Sequence, residues 1–210
     1  VTEPVKLVIT NYPEDKCEEF DVPNNPRDEA AGMRKVPFTR ELYIEKSDFA
    51  EVPPPKFQRL KPDGEVRLMG AYIVKCNEVV KDENGEIVEI RCTADLETGN
   101  GMPADGRKVK GTIHWVSAAH AVDADLYLYD NLFTLENVND VPEGTDYLDY
   151  LNPDSLKKLT GCKLEPSLKD AKEGERFQFV RMGYYVKDRE EGRFNRIVTL
   201  KDSFAKTLQK

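Results

Sequence analysis

Val66-Arg67-Leu68-Met69-Gly70-Ala71-Tyr72-Ile73-Val74-Lys75-Cys76-Asn77-Glu78-Val79-Val80 runs into Lys81-Asp82-Glu83-Asn84-Gly85, and Ile87-Val88-Glu89-Ile90-Arg91-Cys92-Thr93 follows. Val66, Leu68, Tyr72 and Val74 on one side, and Ile87, Ile90 and Cys92 on the other, flank an Asn-Gly pair. That arrangement is the strongest short-range signal for a β-hairpin, because Asn-Gly accepts the left-handed backbone of a tight turn. Similar β-rich runs stand at Val5–Thr10, Leu42–Glu45, Val109–Val116, Leu126–Tyr129, Phe177–Val186 and Ile197–Leu200. Asp105-Gly106 marks another turn into a strand. Helical patterns are few and short, around Ser155–Leu159 and Pro166–Ala171. Many short strands separated by turn residues predict an all-β chain of barrels or a sandwich.

The chain has 210 residues, enough for one large domain or two small ones, and enough to bury a core without a metal or disulfide staple. No apolar run approaches the roughly 20 residues of a membrane span. The four cysteines, Cys17, Cys76, Cys92 and Cys162, never form CxxC, so zinc spacing is absent and reduced thiols of a cytoplasmic protein are expected. Pro23-Asn24-Asn25-Pro26 and Pro53-Pro54-Pro55 read as surface loops, since proline cannot continue a helix or sit in a central strand.

The formal net charge is -8, which argues against a nucleic-acid partner if taken as an average. Its location changes that. Val122–Pro153 holds eight acids (Asp123, Asp125, Asp130, Glu136, Asp140, Glu143, Asp146 and Asp149) and no base, so the rest of the chain is neutral overall. Within that remainder, Lys56, Arg59, Lys61, Arg67 and Lys75 outnumber Asp63 and Glu65. Arg107, Lys108 and Lys110 form a second group, and ten bases face six acids from Lys172 onward. Charge runs are ordinarily solvated faces. Interleaved with Phe57, Phe177, Phe179, Tyr184 and Tyr185, these three offer both phosphate contacts and stacking surfaces for RNA. The acidic segment is expected to face away from it.

Catalytic chemistry finds little support. His114 and His120 fit neither a helical i, i+4 pair nor H-E-x-x-H, and no G-x-S-x-G elbow, phosphate-cradling glycine loop or EF-hand spacing occurs. His114 beside Trp115 reads as structural. Arg59, Arg67, Gln178 and Arg181 are the better leads, because arginine bonds guanine O6 and N7 together and glutamine serves base edges as donor and acceptor.

Longer motifs carry a resemblance. Val36–Glu45 (VPFTRELYIE), Arg67-Leu68 with Ala71-Tyr72, Ala104–Gly111 (ADGRKVKG), Ile113–Ser117 (IHWVS), Glu165–Ala171 (EPSLKDA), Phe177-Gln178-Phe179 and Phe194-Asn195-Arg196 together resemble the C-terminal anticodon-binding region of glutaminyl-tRNA synthetases. The resemblance covers nearly all of residues 1–210. It implies two interleaved six-stranded-type β-barrels, proximal and distal, with a few short helices. It also implies that the chain passes between the barrels more than once and holds the anticodon bases splayed in separate pockets.

By the same resemblance, Arg59 matches an arginine reading a guanine at the third anticodon base, and Arg67 one serving the first base. Gln178 and Arg181 match residues around the central uracil, and Pro26 falls in a loop touching the anticodon. Lys56 and Gln58 lie in the Arg59 loop. Lys56 stands where relatives can have glutamine, and Met69 where an arginine can appear.

The expected partners are the anticodon loop of a glutamine tRNA and the parent's own catalytic domain, with no membrane and no DNA. That domain's H-I-G-H and K-M-S-K-S type signatures are absent, so ATP and magnesium belong to the parent and no catalytic residue, metal or cofactor is expected in this chain. Two alternatives stand beside this reading. One is the equivalent region of an archaeal or eukaryotic-type glutamyl enzyme. The other is a protein-interaction β module using residues 122–153.

Overall fold

A computed structural model describes residues 1–137 and 139–200. Among the described residues there are fourteen strands: β1 (Pro4–Ile9), β2 (Glu18–Pro23), β3 (Met33–Phe38), β4 (Glu41–Glu45), β5 (Glu65–Leu68), β6 (Ile73–Lys81), β7 (Ile87–Ala94), β8 (Thr112–Ile113), β9 (Trp115–Ser117), β10 (Val122–Tyr129), β11 (Leu156–Leu164), β12 (Arg176–Phe179), β13 (Gly183–Lys187) and β14 (Arg193–Val198). The helical elements described are 3-10 turns, such as Pro166–Leu168. The all-β expectation holds.

The chain divides into two compact units. Unit 1 comprises Val1–Asp123 and Cys162–Asp170; unit 2 comprises Ala124–Gly161 and the described residues from Ala171 onward. Unit 1 carries a seven-stranded sheet in the order β8-β5-β6-β7-β1-β4-β9, plus the β2–β3 ribbon. Its two edge strands, β8 and β9, are separated in sequence by His114 alone. The sheet must therefore curl until its edges nearly meet, which makes an almost closed barrel and removes its exposed edges. Unit 2 carries a five-stranded sheet, β11-β10-β14-β13-β12.

The hairpin that opened the sequence reading is β6–β7, paired antiparallel from Val74↔Ala94 to Lys81↔Ile87. Its turn is closed by Asp82, whose Oδ1 accepts from the amides of Asn84 and Glu86 at 2.9 Å each. The run Val66–Val80 is two strands rather than one. Gly70, at φ +70°, turns the chain so that β5 folds back on β6. Leu156–Leu159 is strand, not helix. The Asp130 amide donates to the Ser155 carbonyl at 2.8 Å, fixing the start of β11 beside β10, and sheet pairing overrides a short local helical pattern. Strands β2 and β3 escaped the sequence reading because prolines interrupt them. Pro23 and Pro37 are tolerated in an isolated two-stranded ribbon, where no second neighbour needs the missing N–H.

The unit 1 core contains Leu7, Ile9, Leu42, Ile44, Leu60, Leu68 and Ile113, all fully buried. The ribbon closes one side of it through aromatic contacts. Phe38 meets Tyr12, Tyr72 and Trp115 edge-on at centroid separations of 5.0, 5.2 and 5.1 Å. Edge-to-face pairs of this kind add stabilisation beyond area burial. Tyr12 and Tyr72 both donate to one oxygen of Glu18, at 2.7 and 2.6 Å. Burial first, and the hydrogen bond to Glu18 second, push both phenols well above their usual range.

Segment 162–170 re-enters unit 1 and is locked there by Glu165. Arg34 on β3 bonds this carboxylate bidentately, Nε at 2.6 Å and Nη2 at 2.9 Å, and His114 Nε2 lies 3.0 Å from Oε1. Burial alone would raise the Glu165 pKa, but the bonds from Arg34 and His114 prevail and hold it at about 2.

A carboxyl held below its unfolded value stabilises the fold above that value and loses its contribution as pH falls through the folded one. From an ordinary value of 4.5 to about 2, Glu165 contributes about 3 kcal/mol. Acid titration of stability, followed by urea unfolding, should show a loss between about pH 4.5 and pH 2 that Glu165→Gln removes. An unchanged pH profile in the variant would contradict the assignment.

Candidate nucleic-acid interface

The basic loop starts after Pro53-Pro54-Pro55, where Lys56 adopts a left-handed backbone at φ +65°. Such a conformation strains a residue with a Cβ and persists only where its surroundings impose it, often at ligand clamps. The Phe57 amide donates to the Pro54 carbonyl at 3.1 Å, so the loop turns sharply and presents Phe57-Gln58-Arg59. Asp63, at φ +57°, bends the next turn. Its amide donates to the Cys76 carbonyl at 3.1 Å, which pins the turn against β6.

These segments and residues 108–111 enclose a cleft of about 500 Å³, all within unit 1. Arg59, Lys61, Lys75, Lys108 and Lys110 line it with Gln58, Phe57, Asp63 and Glu65. Five cations against two carboxylates leave a local excess of +3. Lys61, Gln58, Lys108 and Lys110 are exposed. The first two basic clusters of the sequence are therefore one surface. What joins them is Gly111: a Cβ there would lie 2.1 Å from the Gln58 carbonyl oxygen, so a side chain of any size would push the two walls apart.

Arg59 is preorganised. Its Nε lies 3.3 Å from buried Asp48, and its Nη1 donates to the Ser47 carbonyl at 2.9 Å. Arg67 is engaged differently. Its guanidinium donates to the carbonyls of Ala71 (3.0 Å), Gly99 (3.3 Å) and Gly101 (2.5 Å), tying the 99–101 loop to β5. It is not among the residues lining the cleft, and neither are Lys56 and Pro26. Pro26 sits exposed in the loop after β2, beside an Asn25 side chain that accepts from the Arg27 amide at 3.0 Å. Met69 has its carbonyl taken by Trp115 Nε1 at 3.0 Å.

Arg107, which the sequence groups with Lys108 and Lys110, is a structural hub. It reaches Glu65 (3.1 Å), Asp95 (2.7 Å) and Asp105 (2.8 Å). Bonds from Thr98 and Arg107 hold the Asp95 carboxyl at about 2.

Gln178 and Arg181 lie on one hairpin of unit 2. Gln178 is exposed on β12 and pairs with Tyr184 on β13. Arg181, in the connecting turn, is the third non-glycine residue with a left-handed backbone, φ +63°. Two of these three strained positions, Lys56 and Arg181, are thus residues nominated from the sequence. Lys61, Lys75, Lys108 and Lys110 were visible there only as charge, because their convergence depends on how the barrel folds. Lys201, Lys206 and Lys210, counted in the third basic cluster, lie outside the described residues.

Two family models match the chain, both described as tRNA synthetases class I (E and Q), anti-codon binding domain, over residues 1–95 and 112–188. Among curated proteins, the chain is 48% identical over 209 residues to a glutamine–tRNA ligase of Pseudomonas syringae pv. tomato, covering 97% of this chain and 36% of that protein. It is 52% identical over 211 residues to one from Xanthomonas campestris pv. campestris, with 98% and 36% covered. It is 52% identical over 209 residues to one from Ectopseudomonas mendocina, with 97% and 37% covered. The chain thus spans little more than a third of the curated relatives it matches.

Gly111→Ala should separate the cleft walls and lower stability, by about 1–3 kcal/mol as overpacking does. Urea unfolding checks this, and wild-type stability in the variant would mean the close approach is not constrained.

Proposed function

The chain belongs to the anticodon-binding domains of the class I glutamyl- and glutaminyl-tRNA synthetases, and on that premise we propose that it reads the anticodon of a glutamine tRNA. The cleft around Arg59 is the observation that carries this. It combines an oriented guanidinium, a neighbouring amide and an excess of lysines in one concave surface. The lysines attract phosphates without regard to sequence, through counterion release. Base identity requires a rigid, directional donor, and Arg59 with Asp48 and Ser47 behind it fits a guanine O6/N7 edge. We assign this cleft to the third anticodon base.

Gln178, with Arg181 in the adjoining turn, suits the central base, since an amide can both donate to and accept from a pyrimidine edge. Arg67 serves the first base in this reading, and Lys56, Gln58 and Pro26 border the anticodon. The three carbonyls take three of the five guanidinium N–H donors of Arg67, so a base read by the other two would sit beside the 99–101 loop that this side chain holds. The glutamine enzyme is favoured over a glutamyl enzyme by relatives named glutamine–tRNA ligase at 48–52% identity.

The parent enzyme joins glutamine to its tRNA with ATP and magnesium, through a catalytic domain in the length this chain does not span. Among the described residues no group of three His, Cys, Asp or Glu side chains converges to hold a metal ion. The role of this region is to supply identity. A wrong base leaves a desolvated donor without its acceptor, costing about 1–3 kcal/mol per bidentate pair. Among the described residues no helix is long and apolar enough to cross a membrane.

Arg59→Ala should weaken binding of a glutamine anticodon stem-loop and relax preference at the third base. Equal loss across all anticodon variants would reduce Arg59 to a phosphate contact. Lys108→Ala and Lys110→Ala should weaken binding of every sequence alike and lower the salt slope by about 1 each. A slope unchanged in both would place the RNA elsewhere.

A further inference from the structure

The hairpin that carries Gln178 has two unlike faces. On one, Phe177, Phe179, Tyr185 and Phe194 pack together: Phe179 stacks on Tyr185 at 4.4 Å, and Phe194 meets Phe177 at 6.0 Å and Phe179 at 5.8 Å. Tyr185 and Phe194 are almost wholly buried. On the other face a row of directly paired residues crosses three strands. Gln178 on β12 is opposite Tyr184 on β13, and Tyr184 is opposite Val198 on β14, where a bulge beside Tyr184 and Tyr185 shifts the register so that Val198 does not follow Phe194 onto the packed face. All three are exposed, Tyr184 by 41% and Val198 by 51%. Arg176, also exposed, lies two residues before Gln178 and so on the same face of β12. Of the aromatics in this hairpin, Tyr184 alone is left off the packed face.

We infer that Tyr184, flanked by Val198, is the platform on which an unpaired RNA base stacks while Gln178 reads that base's edge. This rests on the anticodon-binding reading and adds a residue with a separate task. Stacking uses the π-face that every base has, so it supplies affinity without choosing among bases. The amide one strand away supplies the choice, and Arg176 follows along the strand within reach of a backbone phosphate. Tyr184 belongs on a strand because its pleat holds the ring upright beside its cross-strand neighbours. A stacked base would cover apolar surface that the fold leaves in water.

The test uses this chain and a stem-loop with a glutamine anticodon, with copies replaced at the central base, measured by fluorescence anisotropy. Tyr184→Ala should weaken every stem-loop by about tenfold or more and by the same factor. Tyr184→Phe, which keeps the ring and drops the hydroxyl, should bind as wild type does. Gln178→Ala should instead narrow the spread among central bases. A stem-loop carrying 5-iodouracil at the central position should photocross-link to Tyr184, which mass spectrometry can locate.

Wild-type affinity in Tyr184→Ala, or cross-linking to another residue, overturns the platform while leaving anticodon binding in place. A wild-type chain that binds the glutamine stem-loop no better than a scrambled hairpin removes both. Circular dichroism of the variants separates lost stacking from lost folding.

Discussion

One largely buried carboxylate, Glu165, ties together three parts of unit 1 that are remote in sequence. It belongs to the segment that returns from unit 2, and it takes Arg34 from the ribbon and His114 from the one-residue link between the edge strands. Barrel seam, ribbon and returning chain therefore share one anchor. Removing water from a carboxylate is costly, and only a bidentate arginine with a second donor makes the burial favourable. The neighbouring backbone reinforces the anchor: Val1 and Lys163 exchange hydrogen bonds at 2.9 and 2.8 Å. A connection that leaves unit 1 and comes back needs such a lock, because loop closure costs entropy that local contacts must offset.

A closed scaffold of this kind lets loops carry the recognition chemistry. The cleft in unit 1 is built from a proline-bounded loop, a left-handed turn and a strand approach that only glycine allows at position 111. Its local excess of positive charge exists on a chain whose formal net charge is -8. The two facts are compatible because exposed charges act over roughly 8 Å at physiological ionic strength. None of the eight acids in Val122–Pro153 is among the residues that line the cleft. The cleft's own lining therefore carries an excess of positive charge that the chain average does not describe.

Much of the fold was legible because its signals are local. Asn84-Gly85 between period-2 runs located the central hairpin, and the β-rich runs at residues 5–10, 42–45 and 87–93 became β1, β4 and β7 with small shifts. What misled was also local. Ser155–Leu159 carries a short helical pattern that pairing with β10 overrides, and Pro23 and Pro37 hid a ribbon that tolerates them. The site was legible by chemistry and less so by geometry. Arg59 and Gln178 could be nominated by type, whereas the meeting of residues 58–75 with residues 108–111 depends on barrel closure, which no spacing encodes. Arg107 shows the reverse: three carboxylates capture a base that composition would assign to RNA.

The central claim is that this chain distinguishes anticodons by contacts to their bases. The most direct measurement is the affinity of the wild-type chain for glutamine tRNA beside that for a copy altered only in its three anticodon bases, at one fixed salt concentration. The altered copy should bind at least tenfold more weakly, with a similar salt slope for both, because the phosphate contacts are shared. Equal affinities for the two RNAs would contradict it.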